Sequence, residues 1–292
     1  MNEEKFYCRI PATSANLGVG FDSIGLAVEK FLTIEAHASD HWHVEMVEEF
    51  LNVLPSNKNN LVIKTAKRVA SHYDVMLPPL QIRMSSEIPL THGLGSSSSA
   101  IVAGIELANY FGRLNLSMDD KIRLGSQIEG HPDNVGPCVT GGMFAGYYAN
   151  DELFYQTSQF EGLTLVLSVP PYELSTKEAR GILPKTFSHA EAVEQNAIAN
   201  VMLMAMLKGD YETMGAMMMR DKLHEPYRQR LIAEFPTVKA LALEEGAYAT
   251  VISGAGPTIL TLCAEDKVGA ILSRLQTEVP GCQHERVGIY RK

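Results

Sequence analysis

The sequence is poor in several things, and each shortage excludes something. No uninterrupted apolar run approaches the roughly 18 residues that a membrane-spanning helix needs; the most apolar stretch, 197–207, is broken by Asn200. There is no basic surplus: 25 Lys and Arg stand against 34 Asp and Glu, a formal net charge of −9. That balance argues against a general nucleic-acid binder, which would carry a basic patch, and at first sight against an anionic ligand too. Only 4 cysteines occur, Cys8, Cys138, Cys263 and Cys282, with no CxxC pair. They read as reduced thiols of a cytoplasmic protein rather than as a disulfide or zinc framework. The opening Met1-Asn2-Glu3-Glu4-Lys5 lacks the basic and apolar regions of a secretory signal, so none is expected. Low-complexity segments and internal repeats are absent as well. What remains is ordinary globular material, 292 residues with 46% hydrophobic and 20% charged. At roughly 100–200 residues per domain, that predicts about two domains.

Periodicity predicts strands over 31–36, 41–47, 80–84 and 163–169, the last stopped by Pro170-Pro171. Helices are predicted from Asn60 onward and from about Gly95 to residue 111. Capping-box patterns at Ser117/Asp120, Ser175/Glu178 and Ser188/Glu191 open three more. Further helices are expected over 211–219, 228–245 and 267–277, and strands over 248–252, 258–262 and 287–290. Interleaved elements with hairpin-like pairs favour an α+β class over a doubly wound sheet. The halves divide at 1–155 and 156–292.

Three segments carry chemistry. The first is Ile88-Pro89-Leu90-Thr91-His92-Gly93-Leu94-Gly95-Ser96-Ser97-Ser98-Ser99-Ala100, between a strand and a helix. Its glycines allow close backbone approach and positive φ. Its serines sit where a helix N-terminus offers unpaired N–H groups and partial positive charge, which suits a phosphate. It is not a Walker loop, because no Lys follows the last glycine. The second segment is Pro11-Ala12-Thr13-Ser14-Ala15-Asn16-Leu17-Gly18-Val19-Gly20-Phe21-Asp22, a loop with Asn16 and Asp22 as fixed polar groups. The third is Glu129-Gly130-His131-Pro132-Asp133-Asn134-Val135-Gly136-Pro137; its carboxylates beside a phosphate loop suggest Mg²⁺, a cation of oxygen ligands. His41-Trp42-His43 offers two imidazoles but no third ligand nearby, and reads as a strand. The methionines at 202, 204, 206, 214, 217, 218 and 219 read as helix packing.

Together these segments resemble the GHMP kinase superfamily, whose ATP-binding motif the 89–99 run matches throughout. Within it, the 11–22 opening and His131-Pro132-Asp133-Asn134 look like the homoserine kinases. So do Ser175-Thr176-Lys177-Glu178-Ala179-Arg180, Leu183-Pro184 and Ser253-Gly254-Ala255-Gly256-Pro257-Thr258. The resemblance spans nearly the whole chain, in the family's order. It implies a ribosomal-protein S5 domain 2-like N-terminal domain and a ferredoxin-like C-terminal domain, with ATP and substrate between them.

The same resemblance implies the roles. The residues from Pro89 to Ser99 would hold ATP, with Asn60 on the adenine side, and Ser97 and Glu129 would hold Mg²⁺. Asn16, Asp22, His131, Asn134, Arg180 and Arg228 would grip L-homoserine, with Arg220 competing as the second guanidinium. A zwitterion wants an Arg for its carboxylate and an Asp for its ammonium. Asn134, where related kinases carry an Asp base, would orient the hydroxyl; with Glu129 and Ser97 it forms the implied catalytic set. The expected reaction is ATP-dependent phosphorylation of homoserine in threonine biosynthesis, by a cytoplasmic homodimer. The alternatives are another GHMP kinase of small alcohols, or a silent ligand-binding member. Three departures stand out: His92 where Arg or Ser is common, Val19 for a Pro, and Gln127 for a second Glu.

Overall fold

The computed structural model describes residues 5–292; the opening Met1-Asn2-Glu3-Glu4, read above as carrying no leader, lies outside the described residues. In chain order the elements are β1 (Phe6–Ala15), β2 (Ile24–Ala38), β3 (His43–Met46), α1 (Leu61–His72), β4 (Leu80–Ser86), α2 (Ser96–Phe111), α3 (Met118–Glu129), α4 (Val135–Thr140), β5 (Met143–Ala149) and β6 (Glu152–Ser158). There follow β7 (Thr164–Val169), α5 (Thr176–Gly181), α6 (His189–Lys208), α7 (Tyr211–Met218), α8 (Glu225–Arg228), α9 (Phe235–Glu244), β8 (Ala249–Ile252), β9 (Ile259–Cys263), α10 (Val268–Glu278) and β10 (Gln283–Val287).

Two sheets organise these elements. The first runs β3-β4-β2-β5-β6, with β1 paired to β2; the second is β10-β7-β9-β8, antiparallel throughout. The 15-residue β2 is the hinge of the first sheet, because it pairs in turn with β1, β4 and β5. The division expected after residue 155 falls inside β6, and the sheet changes between Ser158 and Thr164. One apolar core runs under both sheets, joining Ile34, Phe144 and Leu107 to Leu167, Met202 and Leu260. A second, smaller core lies between α9, α10 and the outer face of the second sheet, around Val166, Phe235 and Ile271.

Local chemistry explains most element ends. Asn60 Oδ1 accepts from Val62 N–H and opens α1. Full capping boxes open α3 at Ser117/Asp120 and α6 at Ser188/Glu191, whereas at α5 only Ser175 Oγ accepts, from Glu178 N–H. Two expectations need correction. The helix expected over 228–245 is broken: α8 ends at Arg228, a 3₁₀ turn covers Gln229–Leu231, and α9 starts at Phe235. Pro236 cannot donate an N–H, so it fits only the first turn of a helix that restarts there. The last strand ends at Val287 rather than beginning there; beyond Gly288 the chain crosses to the first sheet, bridging Val28 with Ile289 and Gly141 with Arg291. Strands β1, β5 and β6, not delimited by periodicity, complete the first sheet.

No described helix is long and apolar enough to cross a membrane. All four cysteines are free, and burial pushes the Cys8 and Cys138 thiols up to about 12. They are inert packing groups rather than nucleophiles.

Candidate active site

The phosphate loop ends on Gly95, which has φ +69° and caps α2 without a side-chain bond. The first intrahelical bond is Ser99 N–H to Gly95 C=O, so the N–H groups of Ser96, Ser97 and Ser98 have no intrahelical acceptor. A 16-residue helix therefore points its positive end at the space in front of the serines. Gly95 is required twice over: its φ is left-handed, and a Cβ there would lie 2.1 Å from Thr13 Oγ1 and 3.1 Å from Asn134 Oδ1.

The three motif segments interlock around that helix end. Thr13 N–H donates to Leu94 C=O at 3.1 Å, and Gly254 N–H to Ala15 C=O at 3.0 Å. Ser253 Oγ lies 2.7 Å from Gly93 C=O and 2.8 Å from Ser14 Oγ. Asn16 Nδ2 donates to Gly254 C=O at 3.0 Å, while its Oδ1 accepts from Asp22 N–H at 3.1 Å. Asn16 and Asp22 both have positive φ, at 73° and 56°, a conformation that Asn and Asp tolerate better than other side chains.

Two adjoining cavities share Thr91, Ser96 and Ser97. One, of about 380 Å³, is mostly apolar, with Leu51, Val53, Leu54, Leu61, Ile88 and Leu90 in its wall. Asn60 lines it, but both ends of its amide are taken, by Val62 N–H and by Pro55 C=O. The other, of about 150 Å³, is the more polar of the two and gathers Asn16, Asp22, Gly93, Gly95, Ser98, Glu129, His131, Asn134, Arg180 and Arg228. Asp133, Leu174, Thr176, Gly254 and Ala255 also line it. Asp133, Thr176, Gly254 and Ala255 lie in the motifs named above, and motif membership is their signal in the sequence; Leu174 lies outside those motifs, one residue before Ser175, and carries no such signal.

Electrostatics differ sharply between the two arginines. Arg180 NH1 and NH2 donate to Asp22 Oδ2 and Oδ1 at 3.0 and 2.7 Å, a bidentate pair. That carboxylate holds the Arg180 guanidinium above its usual range. Arg228 is almost fully buried and has no carboxylate partner among the described ion pairs; it donates to Ala179 C=O at 3.2 Å and Gly254 C=O at 2.9 Å. Burial, and then the charge of Arg180, pull it down to about 10. Burial also pulls His131 down, but the hydrogen bond to Asp133 and the charges of Asp133 and Asp22 outweigh it, so its net shift is upward. Asn134 is held from both sides: Thr13 Oγ1 donates to its Oδ1 at 2.8 Å, and its Nδ2 donates to Asp133 Oδ1 at 3.1 Å. Glu129 Oε1 is buried without a hydrogen-bond partner among the described residues.

Other expected residues stand outside the two cavities. Pro89 and His92 line a third cavity with Lys30 and Glu285, and His92 Nδ1 contacts Leu90 C=O. Leu94 is buried beneath the loop, and Ser99 Oγ bonds Pro11 and Gly95 carbonyls inside the core. Arg220 is exposed and Gln127 bonds Asp151, so neither reaches the site. His41 and His43 belong to no ligand cluster of three; among the described residues the one such group is Asp22, His131 and Asp133.

Comparisons with known proteins bear on this geometry. The family model described as GHMP kinases N terminal domain matches residues 60–142, and that of GHMP kinases C terminal matches residues 202–281. A homoserine kinase of Staphylococcus haemolyticus is 46% identical over 97% of this chain and 94% of its own. One of Staphylococcus epidermidis is 46% identical over 98% and 95%. The chain belongs to the homoserine kinases. The crystal structure of homoserine kinase from Cytophaga hutchinsonii agrees in fold, with a TM-score of 0.88 at 27% identity, covering 100% of this chain and 96% of that one. The architecture is the mixed α+β, two-domain GHMP kinase fold. Homoserine kinase motifs far apart in the chain thus account for most of the polar cavity, and the departures at His92 and Gln127 fall outside it.

Proposed function

We propose that the chain transfers the γ-phosphoryl group of ATP to the δ-hydroxyl of L-homoserine, giving O-phospho-L-homoserine for threonine biosynthesis. The observation that carries this reading is one small cavity holding a free helix N-terminus, a paired Asp22–Arg180 and Arg228, a cation with no ion-pair partner among the described residues. The apolar cavity suits an adenine. The shared Ser96 and Ser97 suit the phosphates, and the polar cavity suits a small zwitterion beside them. Arg228, whose partners are neutral, supplies the charge for the amino acid's carboxylate together with Arg180, and Asp22 takes the ammonium. Asn16 and His131 bound the same space.

Glu129 and Ser97 fit a Mg²⁺ ion: both are hard oxygen donors lining one cavity, and Glu129 Oε1 is an orphaned buried oxygen. When bound, the ion would neutralise charge on the phosphates. The chain's own contribution is alignment and electrostatics, which a loose phosphoryl-transfer transition state mainly requires. Asn134 cannot be a base, and its carbonyl oxygen already accepts from Thr13 Oγ1. What it offers the substrate hydroxyl is a fixed N–H. Asn134→Ala should lower kcat about tenfold to a hundredfold with KM for ATP little changed; a full kcat with normal binding of both substrates would remove Asn134 from the reaction. The two halves and the cleft between them, a cytoplasmic location and a homodimer follow from the family reading; light scattering on the purified chain reads the dimer directly.

The test of the reaction is a coupled assay with ATP and Mg²⁺, offering homoserine, mevalonate, shikimate and galactose in parallel. Turnover of homoserine alone is expected. Turnover of mevalonate without homoserine would overturn the assignment.

A further inference from the structure

Behind the polar cavity lies a buried chain of groups that the reaction does not use. Asp221 is almost fully buried and accepts from four N–H groups: Leu223, His224 and Glu225 of the backbone, at 3.1, 2.8 and 2.7 Å, and Gln195 Nε2 at 3.0 Å. Gln195 Nε2, on α6, also donates to Val19 C=O at 2.9 Å. His224, wholly buried, sits at the centre of this network. Its ring stacks on Phe21 with centroids 5.4 Å apart, and the Arg180 and Arg228 guanidinium carbons lie 5.5 and 5.3 Å from the same Phe21 ring.

The two ring nitrogens of His224 have different partners, and those partners decide its state. Nε2 lies 2.7 Å from Gly18 C=O, which can only accept, so Nε2 carries the proton. Nδ1 lies 3.4 Å from Arg228 NH1, which can only donate, so Nδ1 carries a lone pair. The first contact suits the cation as well, but the second requires an unprotonated Nδ1, so together they select the neutral Nε2–H imidazole. Asp221 Oδ2 is 3.6 Å from Nε2, beyond a hydrogen bond, and is already occupied by two backbone N–H groups. Burial, the largest influence on His224, lowers its pKa and Arg228 acts in the same direction, against the carboxylates of Asp221 and Asp22.

We infer that His224 is a positioning residue for the amino-acid end of the site, holding the Arg228 guanidinium and the backbone of the 16–22 loop in one fixed relation. Arg228 reaches the cavity with three polar contacts, two to carbonyls and one to His224 Nδ1. The loop carries Asn16 and Asp22, and at Gly18 it presses against α7 so closely that a Cβ would lie 2.0 Å from Met218 C=O. One imidazole therefore spans the two surfaces between which a zwitterion must fit. The contact to Arg228 is long and supplies direction more than strength. Nothing in the network touches the apolar cavity, so its effect should be confined to the amino acid.

The inference rests on the polar cavity being the homoserine site, and its test separates the two. Steady-state kinetics of the full chain would compare His224→Leu, His224→Asn and His224→Gln, each with its Tm. Asn keeps a polar atom near the Nδ1 position and Gln one near Nε2. His224→Leu should raise KM for homoserine about tenfold or more, with KM for ATP within about twofold. His224→Asn should recover most of the homoserine KM; His224→Gln should recover Tm more than KM. Should His224→Leu fail to fold, the split between the Asn and Gln variants decides alone. Equal rises in both KM values, an unchanged homoserine KM, or KM changes that merely follow Tm would overturn the inference. A wild-type enzyme that ignores homoserine would instead overturn the site reading.

Discussion

Glu129→Gln is expected to lower kcat for homoserine phosphorylation by about 10²–10³-fold, the scale seen when one preorganised electrostatic group is removed from a reacting centre, while Tm holds or rises. The two halves of this outcome share one cause. Glu129 Oε1 is buried and has no hydrogen-bond partner among the described residues. A buried acceptor without a partner costs free energy, and a charged one costs more. Gln keeps the shape and removes the charge, and so relieves the charged part of that cost. Glu129 lines the cavity with Ser97, at the N-terminal end of α2, where a divalent cation would meet the phosphates. A thermal-shift series makes the point without turnover: Mg²⁺ with ATP should raise the wild-type Tm well above ATP alone, and the increment should vanish in Glu129→Gln. A variant that keeps kcat within threefold at saturating Mg²⁺ would remove Glu129 from the metal site.

Asp22→Asn should raise KM for homoserine by about a hundredfold, the scale of losing one partner of a charged, hydrogen-bonded pair. It should also tighten inhibition by 4-hydroxybutyrate, which keeps the carboxylate and lacks the ammonium. The second effect follows from the geometry of the pair. Asp22 and Arg180 satisfy each other through two hydrogen bonds at 2.7 and 3.0 Å. A zwitterion can replace both halves of that pair at once. A ligand with one charge breaks the pair and leaves the other partner unmatched. Removing the Asp22 charge frees Arg180, so a lone carboxylate no longer competes with an internal one. Arg180→Gln should do the converse, favouring 3-aminopropanol, which keeps the ammonium and the hydroxyl. The pair is about one-third exposed, with side-chain values of 38% and 32%, so salt should soften both effects. If Asp22→Asn weakened 4-hydroxybutyrate as much as homoserine, the pair would be no more than a surface contact.

The net charge of −9, which first spoke against an anionic ligand, loses that meaning once the site is built. A helix end with three free N–H groups and a buried arginine act locally, and global charge does not describe them.

Much of the architecture was legible because its causes are local. Asn60, Ser117 and Ser188 cap helices through bonds to residues two or three positions on, and such bonds depend on neighbours in the chain. The Gly-Leu-Gly-Ser run announced its own conformation: Gly93 and Gly95 both have positive φ, and the helix starts on the next residue. The failures were local as well. Pro236 displaced the start of α9, and Gly288 stands just past the end of β10, signals present in the sequence but outweighed by an apolar periodicity that ran through them.

The sequence by itself determined the family, the elements, the phosphate loop and the kinds of residue that would meet the substrate. The tertiary structure alone decided which of them meet and in what state. Thr13 reaches Asn134 across 121 residues, Arg180 reaches Asp22 across 158, and Asn16 reaches Gly254 across 238. It also put Arg228 in the cavity and left Arg220 in solvent, and it set an imidazole behind the substrate loop. The physical reason is range: capping, turns and amphipathic faces are written in neighbouring residues, whereas a paired or orphaned charge depends on what the fold brings against it.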